Sequence, residues 1–238
     1  VDASGEAGAY ASMDIDAAGN PYFCYQKTID TVSGLYVAFL DDDSTFTRRQ
    51  LDTTGSVMFS SIAVTDEGEM HIVYQMDTYL SARLCYMTGS DFLWLRDTIV
   101  PPGTMLGQYC SIDLDANDVP SVTYRTQDAS QKLNFATRSG DDWIAETVSE
   151  VTGDQTGLFC RLVIDQGAAR VVFQDILGAN EDWRLRYAAR SGGTWQIETV
   201  DSVGAVGSYP GLAIDAQGRP HISYQDFLDA DLKYAVKR

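Results

Sequence analysis

The stretch from Ser208 to Ala235 decides the fold. It reads Ser-Tyr-Pro-Gly-Leu-Ala-Ile-Asp-Ala-Gln-Gly-Arg-Pro-His-Ile-Ser-Tyr-Gln-Asp, followed by a loop and by Leu232-Lys233-Tyr234-Ala235. The same pattern occurs five times, with steps of 49, 50, 50 and 50 residues between equivalent positions. These first-strand positions are Ser12, Ser61, Ser111, Arg161 and Gly211. A period near 50 residues in strand-forming sequence is typical of four-stranded propeller blades. The sequence therefore predicts an all-β protein, a β-propeller with five blades of four antiparallel strands.

Each repeat begins with a strand that alternates bulky apolar residues with small or polar ones, as Leu212, Ala213 and Ile214 do. This asymmetry suits a ring of sheets, in which the bulky face of one blade packs on the slimmer face of its neighbour. A turn rich in Asp, Gly and Pro follows, as at residues 215–220. We expect one propeller domain over residues 1–238, with repeats at approximately 1–51, 52–100, 101–150, 151–200 and 201–238.

The fifth repeat is one strand short, because the sequence ends at Arg238, just after its third strand. Val1-Asp2 aligns with Val200-Asp201, which closes the fourth strand of another repeat. Several arrangements fit this count: either the missing strand lies outside residues 1–238, or the last blade has only three strands, or the repeats belong to a larger ring, or a neighbouring molecule supplies the strand. We favour a closed five-bladed ring whose last blade lacks its outer strand.

The chain is strongly acidic. It has 17 Lys and Arg against 34 Asp and Glu, a net charge of −17 and a pI near 4.2. This charge argues against binding to nucleic acid and against docking on anionic membranes, since both need basic surfaces. No run of apolar residues is long enough for a membrane helix, so we expect no membrane insertion. The composition is typical of a soluble extracellular protein.

The even number of cysteines, Cys24, Cys85, Cys110 and Cys160, would allow disulfides in a secreted chain. Cys110 and Cys160, however, hold the same position in neighbouring blades. A bridge between them needs Cα atoms within about 7 Å, which is tight for a propeller channel. We expect four free, mostly buried thiols that pack as small hydrophobic groups.

Three motifs carry a resemblance to a known group of repeats. They are Ile214-Asp215-x-x-Gly218-x-Pro220-His221-Ile222-Ser223-Tyr224, Leu232-Lys233-Tyr234-Ala235 and Trp195-x-x-Glu198-Thr199-Val200. Over essentially its whole length the chain resembles the sialidase/BNR-like propeller repeats of many bacterial secreted and surface proteins. The resemblance implies a secreted or cell-surface protein, extracellular or periplasmic. It selects no single function, because such propellers serve as lectins, adhesion modules and enzyme scaffolds.

Two rows of repeated residues are candidates for ligand binding. An aromatic residue precedes every first strand: Tyr10, Phe59, Tyr109, Phe159 and Tyr209. A polar residue ends every second strand: Gln26, Gln75, Arg125, Gln174 and Gln225. Sugars need an apolar ring face to stack on and fixed polar groups for their hydroxyls, so the two rows predict a lectin-like glycan site, with Trp183 on a long loop as a further candidate. Alternatively, the rings fill the gaps between blades and the amides satisfy backbone groups.

Asp14 and Asp113 break the repeat, because their counterparts are Ala63, Val163 and Ala213. Two carboxylates in a channel fit the general acid and base of an inverting glycosidase, about 6.5–9.5 Å apart. They also fit Ca²⁺ with carbonyls and water, or plain hydration at a blade edge. His71 and His221 hold one repeated position, which argues against metal ligation.

We therefore expect a non-catalytic recognition module for a glycan or surface protein, with no cofactor. The alternatives are a glycoside hydrolase or lyase and a structural subunit that self-associates through the open edge of the last blade.

Overall fold

The computed structural model describes residues 1–40, 45–78, 81–90, 93–103, 106–127, 131–151, 154–178 and 181–237. Within these ranges the chain forms 19 strands and no helix. The strands form four antiparallel sheets of four strands and one of three, arranged as a five-bladed β-propeller. The predicted β-propeller of four-stranded blades, with three strands in the last blade, is confirmed. No helix in the described ranges has the length and apolar character needed to cross a membrane.

The chain divides into two compact units, Val1–Leu114 and Asp115–Arg238. The first unit contains blade one, blade two and the first strand of blade three. Its strands are β1 (Glu6–Ile15), β2 (Pro21–Ile29), β3 (Val32–Leu40), β4 (Phe46–Asp52), β5 (Ser56–Val64), β6 (Met70–Thr78), β7 (Ser81–Ser90), β8 (Leu93–Gly103) and β9 (Leu106–Leu114).

The second unit contains the other strands of blade three, blade four and blade five. Its strands are β10 (Pro120–Thr126), β11 (Lys132–Ser139), β12 (Asp142–Glu150), β13 (Gln155–Asp165), β14 (Ala168–Leu177), β15 (Asp182–Ser191), β16 (Thr194–Asp201), β17 (Val206–Ile214), β18 (Pro220–Asp226) and β19 (Asp231–Val236). The strands of each blade lie in sequence order, so every connection within a blade is a hairpin.

Short turns join the first and second strands. In blade one, Asp16 accepts a hydrogen bond from the Asn20 amide through Oδ1, at 2.8 Å, and Gly19 N donates to the Asp16 carbonyl. Blade five repeats the arrangement at Asp215. Gly19 has a φ of 85° and Gly218 a φ of 74°, a backbone region that glycine adopts without strain. The Asp and Gly of the repeat therefore set the hairpin that aligns the first two strands.

Consecutive blades pack face to face, and each blade has two faces. We call the face toward the following blade the trailing face and the other the leading face. In the first unit, Leu35 and Val37 on the trailing face of blade one pack in one core cluster with Ile62 and Ile72 on the leading face of blade two. In the second unit, the same positions of blades four and five form a second cluster. The core thus lies between the blades, as the bulky and slim strand faces predicted.

Candidate functional site

The aromatic row, defined as Tyr10, Phe59, Tyr109, Phe159 and Tyr209, has an unusual backbone. The φ values of these residues are 51°, 52°, 50°, 52° and 49°, all in the left-handed region. For a bulky L-residue this conformation costs about 1–2 kcal/mol. In four of the five first strands the pairing register shifts at the aromatic residue, which marks a β-bulge. Each bulge turns its ring out of the regular alternation of the strand.

Within each unit the rings of consecutive blades contact each other. The ring centroids of Tyr10 and Phe59 lie 5.0 Å apart, and those of Phe59 and Tyr109 lie 4.6 Å apart. In the second unit Phe159 and Tyr209 are 4.4 Å apart. The planes are tilted by 47° to 54°, a geometry that aromatic pairs favour. Tyr10 remains 42% exposed and Tyr209 remains 70% exposed, so part of the row presents apolar surface to solvent.

The polar row acts across the blade junctions. Gln26 Nε2 donates to the Val57 carbonyl at 2.6 Å, and Gln174 Nε2 donates to the Val206 carbonyl at 2.8 Å. Arg125, which is 2% exposed, donates from Nε to the Thr156 carbonyl at 3.0 Å. In each case the acceptor lies just before the aromatic residue of the next blade. These donors therefore hold the backbone that carries the aromatic row, and Gln75 is buried in the same way.

The prediction that Trp183 lies on a loop is wrong, because the residue belongs to the start of β15, where it pairs with Ile176 of β14. Its side chain is half-buried. Its ring stacks on that of Phe227 in blade five, with centroids 5.8 Å apart and planes 26° apart. Phe227 and its neighbour Leu228 are exposed, and the Phe227 amide donates to the Ala205 carbonyl at 2.8 Å. Blades four and five thus carry a second aromatic surface, whose Phe227 is anchored through its backbone amide.

Asp14 and Asp113 both lie in the first unit, on β1 and β9, and β5 packs between these two strands. Asp14 Oδ1 accepts from its neighbour Ile15 N at 2.9 Å. Asp14 Oδ2 accepts from Val64 N of blade two at 2.8 Å. Asp113 Oδ1 accepts from Leu114 N at 2.9 Å. Both oxygens of Asp14 are therefore engaged by backbone amides, one of them across the junction between two blades.

A Tyr–Asp contact recurs at the blade junctions, and sequence reasoning missed it. Tyr25, Tyr74 and Tyr224 donate from the hydroxyl to Asp2, Asp52 and Asp201 at 2.9, 2.7 and 2.9 Å. Burial raises the pKa of Tyr224 to about 12, reinforced by the hydrogen bond to Asp201. Burial alone would raise the pKa of Asp2, but hydrogen bonds from Ser4, Tyr25 and Lys27 hold it below the ordinary aspartate value. A repeated spacing in the sequence could have revealed this contact, because each Asp, at or aligned with the end of a fourth strand, is followed by its Tyr 22 or 23 residues later.

The described residues contain no group of three or more His, Cys, Asp or Glu side chains that could hold a metal ion. His71 and His221 each contact a third-strand tyrosine through Nδ1, at 2.6 Å from Tyr86 Oη and 2.5 Å from Tyr234 Oη. The repeated histidine position is thus a repeated His–Tyr pair. All four thiols are buried and unbridged, and burial raises the pKa of Cys24 to about 12 and that of Cys160 to about 11.

No family model matches the chain, and no curated protein matches it. Solved structures share its fold. The endo-arabinase of Bacteroides thetaiotaomicron is 12% identical, with a TM-score of 0.60 over 96% of this chain and 93% of that one. A protein of unknown function from Dyadobacter fermentans is 11% identical, with a TM-score of 0.64 over 97% of this chain and 82% of that one. The arabinanase Arb43A of Bacillus subtilis is 12% identical, with a TM-score of 0.51 over 99% and 95%. At these identities the likeness establishes the propeller fold alone.

The structure gives the predicted residues three kinds of surroundings. The aromatic row is brought together ring by ring inside each unit. Trp183 gains an aromatic partner in Phe227, which the sequence had not singled out. Gln26, Arg125, Gln174 and Asp14 contact the backbone of the next blade. Their role in binding or catalysis stays a prediction.

Proposed function

We propose that this protein is an extracellular carbohydrate-recognition module that binds a glycan chain on its aromatic rings. The observation that carries the proposal is the left-handed φ of all five residues in the aromatic row. Glycine would adopt this backbone without strain, yet every repeat places Tyr or Phe there. Strained residues of this kind cluster at binding sites, where the scaffold holds a side chain in position.

The chemistry of the rings suits sugars. Tyr10 and Tyr209 combine an exposed apolar ring face with a hydroxyl, which matches the apolar faces and hydroxyl edges of a pyranose or furanose ring. Trp183 stacked on Phe227 supplies a second platform in the same unit as Tyr209. Several weak contacts along one glycan chain would add through effective concentration. The polar row supports the site indirectly, because its donors hold the backbone beside the rings.

The solved structures with the same fold support a carbohydrate ligand. Several are described as acting on glycans, among them an endo-arabinase and a putative glycosidase of Bacteroides thetaiotaomicron. Linear arabinan and yeast mannan are therefore reasonable first probes, the latter because another neighbour is described as acting on Candida mannan. An extracellular location and a kinship with sialidase-like repeats are part of the proposal.

Isothermal titration of the protein with these polysaccharides tests the binding site. We expect Tyr209→Ala and Trp183→Ala to weaken binding about tenfold each, since an aromatic contact is worth about 0.5–1.5 kcal/mol. Tyr209→Phe should keep the affinity within a few-fold, because Phe59 and Phe159 hold equivalent positions. Leu93→Ala is the matched control, since Leu93 is equally exposed but lies on an outer strand. Unchanged affinity in both alanine variants would refute the site.

Glycoside hydrolysis is the second candidate, favoured by the described activities of the neighbouring structures. Asp14 and Asp113 are its candidate acid and base, and they break the repeat on first strands. Release of reducing ends from arabinan or mannan, lost in Asp14→Asn and in Asp113→Asn, would favour this reading. Hydrolysis that survives both changes would exclude these carboxylates. Binding without hydrolysis favours recognition.

A further inference from the structure

The ring of Trp183 stacks on the ring of Phe227, and we call this pair the aromatic stack. Both residues lie in the second unit, and each lies at the end of a hairpin. Trp183 lies at the start of β15 and pairs with Ile176 of β14, while the Phe227 amide donates to the Ala205 carbonyl at 2.8 Å. Phe227 nevertheless remains 58% exposed. The backbone therefore holds the stack in place and leaves part of an aromatic ring open to a ligand.

The two hairpin ends that carry the aromatic stack are strongly acidic. Residues 177–184 and 226–233 contain five carboxylates against two cations. The carboxylates are those of Glu181, Asp182, Asp226, Asp229 and Asp231. Four of these residues lie one or two positions from Trp183 or Phe227 in the sequence, which places their Cα atoms within about 8 Å of it. Because a charge acts over about 10 Å at 0.1 M salt, these carboxylates surround the stack with a negative field.

Both cations of the two hairpin ends are paired with carboxylates. Arg184 Nε donates to Asp182 Oδ2 at 3.0 Å. Lys233 Nζ lies 2.9 Å from Asp226 Oδ2, and Asp226 is buried. The three other carboxylates belong to exposed residues: Glu181, Asp229 and Asp231. The charge that remains beside the aromatic stack is therefore negative and faces solvent.

An exposed aromatic ring in a negative field suits a cationic ligand. The quadrupole of the ring attracts an ammonium group to its face, and the nearby carboxylates add to this attraction. An anionic ligand is repelled by the same carboxylates, because like charges brought together oppose binding. A neutral sugar stacks on the ring without either effect. The surroundings of the stack thus favour one charge class of glycan over the others.

We propose that the aromatic stack selects glycans by charge and prefers chains that carry protonated amines, such as polymers of glucosamine. The proposal rests on the glycan recognition proposed above and names the class of glycan. The sugar ring stacks on the free part of Phe227, and its ammonium group lies close to the carboxylates of Glu181 and Asp229. Uronic, sialylated and sulfated glycans are repelled from the same surface.

Isothermal titration with three hexasaccharides of the same β-1,4 linkage tests this preference. They are a cationic glucosamine hexamer, a neutral N-acetylglucosamine hexamer and an anionic glucuronate hexamer. At about pH 5.5 the sugar amines are protonated, and carboxylates with ordinary pKa values near 3.9 and 4.3 are ionised. We expect the cationic hexamer to bind about fivefold more tightly than the neutral one, the size of one exposed cation–π contact. The anionic hexamer should bind most weakly.

A charge-neutralised triple variant locates the preference. Glu181→Gln, Asp229→Asn and Asp231→Asn together remove three exposed charges and leave both rings in place. The affinity for the cationic hexamer should fall to within about twofold of that for the neutral hexamer, whose own affinity should not change. Trp183→Ala should weaken the binding of both hexamers and reduce the difference between them.

The matched control removes the same charges from other exposed turns, through Asp66→Asn, Glu67→Gln and Asp141→Asn. This variant should keep the full preference for the cationic hexamer. A preference that falls equally in the control, or one that survives unchanged in Trp183→Ala, would mean that the net charge of the chain attracts the amine, and would overturn the proposal.

Two further outcomes separate charge selection from glycan recognition. Equal affinities of the wild-type protein for the cationic and neutral hexamers would refute charge selection and leave glycan recognition standing. A wild-type protein that binds none of the hexamers also overturns charge selection, and titration with arabinan and mannan then decides on recognition separately. Equal melting temperatures of the variants confirm that each one is folded.

Discussion

Single side chains that cross a blade junction have a large effect because they satisfy buried backbone groups. Asp14 is the clearest case, since its Oδ2 accepts from the amide of Val64, a buried residue of blade two. Ser12, two residues earlier on the same strand, makes an equivalent contact, because its hydroxyl oxygen accepts from the Ile62 amide at 3.3 Å. An unpaired buried amide costs more than the hydrogen bond itself contributes.

Asp14→Ala should therefore lower the free energy of unfolding by about 1–3 kcal/mol, because it leaves the buried Val64 amide without a hydrogen-bond acceptor. Glu67→Ala removes the same charge from an exposed turn of the same unit and should change stability by less than about 0.5 kcal/mol. Urea unfolding at neutral pH measures both. Equal stabilities of the two variants would mean that the Asp14 contact contributes nothing to the junction.

The aromatic row marks the limit of prediction from sequence at this scale. Its members were found because they recur at steps near 50 residues. Their left-handed backbone was not predictable, because positive φ is normally signalled by Gly or Asn and not by Tyr or Phe. The bulge depends on the pairing of two strands and on the ring of the next blade, and neither is encoded locally.

At the scale of the element, the second strands of blades one, two and five are each tied through a tyrosine hydroxyl to an aspartate that precedes the blade. Tyr74 is fully buried and donates to Asp52, which also pairs with Arg96 at 2.9 Å. Burial raises the pKa of Tyr74, so its hydroxyl stays protonated and continues to donate. Tyr36 offers a comparison in the same unit, because its hydroxyl donates to the neutral Gln50 at 2.9 Å.

Tyr74→Phe should destabilise the protein by about 1.5–3 kcal/mol, because it removes a hydrogen bond to a buried charge. Tyr36→Phe removes a neutral hydrogen bond of similar length and should cost about 0.5–1.5 kcal/mol. The difference between the two urea midpoints is the quantity to measure. A larger loss in Tyr36→Phe would contradict the view that the Tyr–Asp contact locks the blade junction.

The blades themselves were predictable because strand alternation and turn chemistry repeat. The Asp and Gly of the 16–19 and 215–218 turns fall where the hairpins form. The close contact between a third-strand leucine and a first-strand glycine of the next blade was not predicted, although Leu84, Leu133 and Leu185 and the glycines that they contact recur in the sequence. The period of the sequence repeat does not predict which positions of neighbouring blades contact each other, because those contacts depend on the angle at which the sheets pack.

At the scale of the whole molecule, sequence reasoning identified the fold but not the ligand. The repeat determines five blades and gives each of them a residue of the aromatic row, so only departures from the repeat distinguish one blade from another. Trp183 and Phe227 are such departures, and their stacking joins blades four and five. Asp14 and Asp113 are departures of another kind, and Asp14 contacts the backbone of blade two. A departure from the repeat therefore locates a position of interest without assigning its role.

The charge of the whole chain makes a separate prediction. With a net charge of −17, the folded protein carries strong self-repulsion, which salt screens over about 10 Å at 0.1 M. Ion pairs such as Lys233 with Asp226, at 2.9 Å, also weaken in salt, but the carboxylates outnumber the Lys and Arg side chains by 34 to 17. Raising sodium chloride from about 0.02 to 0.5 M should therefore increase the melting temperature by a few degrees, since about 1 kcal/mol corresponds to 2–4 °C at this size. Differential scanning calorimetry at both salt concentrations measures the effect, with glycerol at equal osmolality as the control. A melting temperature that falls with salt would mean that ion pairs outweigh the repulsion.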